Sequence, residues 1–149
     1  ALTTGVAVSV QFGADALHDL EVVLAEGLPA DRIVVGGLDR ADAVAAGHPM
    51  EVARRGAYVA LDRVGTVDPA FVSDDERASL VLELVASGFG DRVLLSSSSV
   101  GVAKGYEASD VPLSQVLSTF VPHLRAKGLD DAAVRRIVHD NPAALLSAR

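Results

Sequence analysis

The sequence predicts an α/β fold: a parallel (βα)4 unit of four consecutive strand–helix pairs, forming one domain over residues 1–149. Three observations predict it. First, short apolar runs rich in branched residues end in polar or glycine positions: Val8-Ser9-Val10-Gln11, Arg32-Ile33-Val34-Val35-Gly36-Gly37 and Arg92-Val93-Leu94-Leu95-Ser96-Ser97-Ser98. Such runs suit strands buried within a parallel sheet. Second, apolar residues between the runs recur at helical spacing, and strand–helix alternation calls for right-handed crossovers. Third, a chain that is 50% hydrophobic and 22% charged has the composition of a globular domain with a core.

Along the chain, Gly5 to Val10 reads as the first strand, with Val6, Val8 and Val10, ending at Gln11 and Phe12. Leu17, Leu20, Val23 and Leu24 make a helical stripe over Ala14 to Glu26, and Gly27 stops it. The second strand is Arg32–Val35. A small-residue segment then reaches Ala46, and Pro49 opens a helix to about Arg55, since its missing N–H costs nothing in a first turn. Ala57–Leu61 reads as the third strand. Ser73-Asp74-Asp75-Glu76 is a capping box, opening a helix that carries Leu80, Val81, Leu84 and Val85. Arg92–Leu95 is the fourth strand, and a polar loop runs from Ser96 to Ser109. A helix starting at Asp110-Val111-Pro112 is expected to place Leu113, Val116, Leu117, Phe120 and Leu124 on one face and to kink at Pro122. Asp130 caps a further helix with Val134, Ile137 and Val138, and Asn141-Pro142 starts a last turn.

A net charge of -7 argues against nucleic acid or an anionic membrane surface as partner. The chain has no cysteine, which excludes disulfides and thiolate metal sites. No apolar run reaches the roughly 18 residues of a membrane span. Nothing at the N-terminus resembles a leader, so the expectation is a cytoplasmic or recombinant protein.

Several stretches, in order along the chain, resemble the C-terminal half of the phosphotriesterase-like enzymes of the amidohydrolase superfamily, lactonases included. They are Gly5-Val6-Ala7-Val8, Arg32-Ile33-Val34-Val35-Gly36, Leu38-Asp39-Arg40, Arg54-Arg55-Gly56-Ala57-Tyr58-Val59 and Asp91-Arg92-Val93-Leu94-Leu95-Ser96. Thr119-Phe120-Val121-Pro122-His123-Leu124-Arg125 and Val138-His139-Asp140-Asn141-Pro142 extend the match. The resemblance implies strands five to eight of a (β/α)8 TIM barrel, an architecture that takes about 250 residues and eight strands. Four strands alone leave two open edges, so closure by homodimerisation through strand-edge pairing is expected.

The resemblance also implies a divalent metal pair, and here the chain departs from it. The family's histidine at the end of the fifth strand is Gln11, its histidine after the sixth is Gly37, and its aspartate after the eighth is Ser98. Amide and hydroxyl groups are weak replacements for imidazole and carboxylate at such a centre. No metal or other cofactor is therefore expected. His18, His48, His123 and His139 lie away from the strand ends and read as surface or capping residues.

Other residues keep a trace of the family pocket. Asp62-Arg63 follows the third strand, where the family makes substrate contacts, and Asp39 resembles a supporting aspartate that here reads as a loop cap. Ser96 to Ser99 reads as solvated polar filler, with Lys104 as its nearest cation. The residual pocket is thus Gln11, Gly37, Asp39, Asp62, Arg63 and Ser98. The expected function is a non-catalytic half-barrel scaffold that self-associates. The triple replacement, the missing half and the serine run together point to deliberate construction, with natural drift the other origin of the ligand loss. The alternative is a residual metal-dependent esterase, lactonase or phosphotriesterase.

Overall fold

The computed structural model describes residues 1–11, 13–99 and 111–147. Among these residues, four strands form a single parallel sheet in sequential order: β1 (Val8–Gln11), β2 (Ile33–Gly36), β3 (Tyr58–Leu61) and β4 (Val93–Leu95). The register pairs Val8 with Ile33, Val35 with Val59 and Ala60 with Leu94. Both β1 and β4 are edge strands.

Alternation along each strand divides the apolar residues between two faces. Ile33, Val35, Val59, Leu61 and Val93 join the main core beneath the helices. Val34, Tyr58, Ala60 and Leu94 form a second cluster on the opposite face. That two-sided demand is why the strands read as unbroken apolar runs.

Helices α1 (Ala16–Ala25), α2 (Ala41–Ala45), α3 (His48–Arg54) and α4 (Asp74–Ala86) fill the crossovers. Asp15 caps α1 by accepting from the Leu17 and His18 N–H groups. The expected capping box is present at α4: Ser73 Oγ accepts from Glu76 N–H, and the Glu76 carboxylate accepts from Ser73 N–H at 2.8 Å. Leu80, Val81 and Leu84 of α4 are buried in the core, with Leu20 of α1 and Val52 of α3.

The C-terminal helical region departs from the sequence expectation. It comprises α5 (Val121–Ala126), α6 (Asp131–Arg135) and α7 (Asn141–Leu146), with π turns at Val116–Phe120 and Arg136–Asp140. Each π turn ends just before an X-Pro pair. Val121 N–H bonds Val116 O, and Asn141 N–H bonds Arg136 O, five residues back in both cases. Proline lacks the N–H, and its ring crowds the carbonyl four residues earlier, so the preceding turn widens by one residue. The extra residue rotates the stripe: Phe120 and Leu124 are buried, whereas Leu113 and Leu117 are 73% and 64% exposed. Val111 and Pro112 are also outside any helix. Phe12, Lys104, Asp110 and most of the Ser96–Ser109 loop lie outside the described residues.

Two polar side chains lock the N-terminal end of the sheet. Arg32, 6% exposed, donates to the carbonyls of Gly5, Ala144, Leu145 and Ser147. It thereby joins the first segment of the chain to the C-terminal end of α7, whose carbonyls carry partial negative charge. Asn141 Nδ2 donates to Gly90 O at 2.9 Å and Val93 O at 2.8 Å, fixing α7 beneath β4. Leu145 then packs on Val34, Tyr58 and Ala60.

Candidate functional site at the strand ends

The C-terminal ends of the strands form the polar rim of the sheet, the usual seat of chemistry in parallel α/β folds. Loops there continue the strand pairing: Leu38 N–H bonds Ala60 O, Ser96 N–H bonds Leu61 O, and Val64 N–H bonds Ser96 O. The six expected pocket residues fall into three groups on this frame.

Gln11, Gly37 and Asp62 come together. Asp62 follows β3, and its Oδ2 accepts from Gly37 N–H at 2.7 Å and from Gln11 Nε2 at 3.1 Å. Gly37 sits at φ 73°, a left-handed conformation that favours glycine.

Asp39 and Arg63 are joined below the rim. Asp39 Oδ2 accepts from Arg63 N–H at 2.8 Å, so the expected loop cap exists. The same oxygen accepts from Arg77 Nε at 2.8 Å, and both side chains are fully buried. Arg77 also donates to Val72 O at 2.9 Å and to Asp74, which in turn accepts from Gly65 N–H. Arg77 is thus the hub that holds the loops after β2 and β3, and the sequence reading missed it. Its signal was present: Arg77, Val81 and Leu84 share one helical stripe, and a cation on a buried stripe needs an acidic partner. The Arg63 guanidinium lies 5.1 Å from the Phe71 ring centroid, at the protein surface.

Ser98 stands apart. It has φ 47°, unusual for a residue with a side chain, and its N–H bonds Ser96 Oγ at 3.2 Å. The serine run is not uniformly solvated: Ser97 is 8% exposed, and the Ser99 hydroxyl donates to Val111 O. Below the rim a cavity of about 340 Å³ is lined by Ser9, Val34, Ala60, Asp62, Leu94 and Ser96, with α7 as one wall.

The histidines are elsewhere. His18 is exposed on α1, His48 begins α3, and His123 on α5 has Nε2 3.5 Å from Asp75 Oδ1. His139 pairs with its neighbour Asp140 at 2.8 Å.

A sequential parallel four-stranded sheet with crossover helices and a polar C-terminal rim defines half of a (β/α)8 barrel. The chain belongs to the phosphotriesterase family, whose model matches residues 2–146. It is 24% identical over 140 residues to the aryldialkylphosphatase of Saccharolobus solfataricus, covering 88% of this chain and 43% of that protein. It is 26% identical over 132 residues to the phosphotriesterase homology protein of Escherichia coli, covering 89% and 44%. A mutant of the organophosphorus hydrolase from Deinococcus radiodurans superposes with a TM-score of 0.82 at 25% identity, covering 97% of this chain and 47% of that one. The chain therefore spans about half the length of the relatives it matches.

The residues at the rim do not fit the metal pair that the family resemblance implies. Gln11 turns an amide N–H toward Asp62, Gly37 offers only backbone, and Ser98 carries a hydroxyl. Among the described residues no cluster of three or more His, Cys, Asp or Glu side chains could hold an ion. Also among them, no helix is long and apolar enough to cross a membrane.

Proposed function

We propose that this chain is a non-catalytic half-barrel scaffold that completes an eight-stranded barrel by pairing with a second copy of itself. The observation that carries this reading is the sequential β1-β2-β3-β4 sheet, which among the described residues has an open edge on either side. An eight-stranded parallel barrel has no edge, and two such sheets related by a twofold axis supply the required number of strands. The glutamine, glycine and serine at the family's ligand positions support the non-catalytic part. Sedimentation velocity over a hundredfold concentration range tests the association. A dimer persisting at micromolar concentration supports it, and a sharply melting monomer throughout contradicts it.

One observation favours a second reading, a residual hydrolase. Asp62 and Arg63 remain at the strand ends, and Asp39 of the buried Asp39–Arg77 pair accepts the Arg63 N–H. This reading predicts ester or lactone turnover that falls when Asp62 or Arg63 is replaced by alanine. Background rates for the unmodified chain would end it.

A further inference from the structure

We infer that Gln11 and Asp62 form a hydrogen-bonded latch that ties the strand ends together without a metal ion. This rests on the reading of the rim as lacking a metal centre, and it adds what holds the rim closed. Three observations carry it. Asp62 Oδ2 gathers the Gln11 amide from β1 and the Gly37 N–H beyond β2, so one oxygen links the ends of three strands. The Gln11–Asp62 bond joins β1 to β3, which are not neighbours in the sheet, and it crosses directly over Gly36 at the end of β2. A Cβ on Gly36 would lie 2.2 Å from Gln11 Nε2 and 2.8 Å from Asp62 Oδ2, so the crossing requires glycine.

The chemistry of the set is that of a latch. A carboxylate oxygen with two N–H donors is a satisfied acceptor. The Gln11 nitrogen donates and has no lone pair for an ion. The family resemblance implies strand ends drawn together through an ion. Here the amide and the backbone N–H perform that task, and edge strand β1 is anchored at its open end. The latch gives a physical reason why the strand ends of a chain without the ligand set are held together.

Thermal melting of the unmodified chain and of Gln11→Glu, with zinc or with EDTA, tests this. The Gln11→Glu change places a second carboxylate against Asp62, and two ionised carboxylates at that distance repel. The latch predicts that the unmodified chain melts identically with zinc and with EDTA. It predicts that Gln11→Glu melts about 4 °C lower at pH 7. That loss should recover when zinc bridges the two carboxylates. Equal melting of Gln11→Glu and the unmodified chain would overturn the latch while leaving the non-catalytic scaffold standing. Stabilisation of the unmodified chain by stoichiometric zinc would overturn both.

A double-mutant cycle of Gln11→Ala and Gly36→Ala applies even if Gln11→Glu fails to fold. The latch predicts that the two losses do not add, because either change removes the same crossing. Strict additivity would contradict it.

Discussion

Arg77 on α4 and Asp39 after β2 form an ion pair at 2.8 Å with both side chains wholly excluded from solvent. Around it the loops after β2 and β3 are organised, because Asp39 also takes the Arg63 N–H and Arg77 also donates to Val72 O. Removing one partner leaves a buried charge. Asp39→Ala is expected to cost about 3–5 kcal/mol, measured by urea denaturation. The double replacement Asp39→Leu with Arg77→Met should cost less than Asp39→Ala alone. A double replacement at least as damaging as the single one would show that the pair is not the source of the loss.

The Arg32 clasp makes a separate prediction, located at the other end of the sheet. Arg32→Ala deprives the carbonyls of Gly5, Ala144, Leu145 and Ser147 of their donor. A loss of about 2–4 kcal/mol is expected. Hydrogen exchange should rise first in α7 and the first residues of the chain. Uniform acceleration across the sheet, with α7 unchanged relative to it, would argue against a local clasp.

The π turn before Pro122 separates two leucines that the sequence places on one face. Leu124→Ala should cost about 2–5 kcal/mol because the residue is 1% exposed. Leu117→Ala should change stability by less than about 0.5 kcal/mol. Equal costs would mean that the helix continues without the inserted residue.

Those two leucines mark the limit of what the sequence carried. Strand existence and order were legible because Ile33, Val34 and Val35, or Tyr58, Val59 and Ala60, must be apolar on both faces of a covered sheet. The capping box at Ser73 was legible because its two hydrogen bonds are local. The π turns were not, since a proline states that a helix is perturbed without saying that it gains a residue. Of the site, Gln11, Gly37 and Asp62 lie at strand ends, a position the apolar runs make legible, but their meeting depends on side-chain reach across Gly36. The helical stripe marks Arg77 as a cation in need of an acidic partner, but not which one, since Asp39 is 38 residues away in sequence.

Acid should weaken the fold through surface carboxylates. The His18 and Leu17 N–H groups hold Asp15 below its usual range, the Lys127 ammonium does so for Asp75, and the Ser73 hydroxyl and N–H do so for Glu76. Each of these groups binds fewer protons when folded, so its contribution is complete above the ordinary carboxylate range. It is lost as the pH falls through the lowered folded values, below about pH 4. Melting temperature should therefore be level between pH 7 and about 5.5 as far as these groups decide it, and fall below about 4. Asp75→Asn together with Asp15→Asn should flatten the acid limb. An unchanged limb would assign acid sensitivity to other groups.

The central claim is a self-completing barrel without a metal centre, and a native mass spectrum reports subunit number and bound ions together. The account predicts a dimer of the 15.4 kDa chain with no mass increment for divalent metal. A folded monomer, or a species carrying stoichiometric metal, would contradict it.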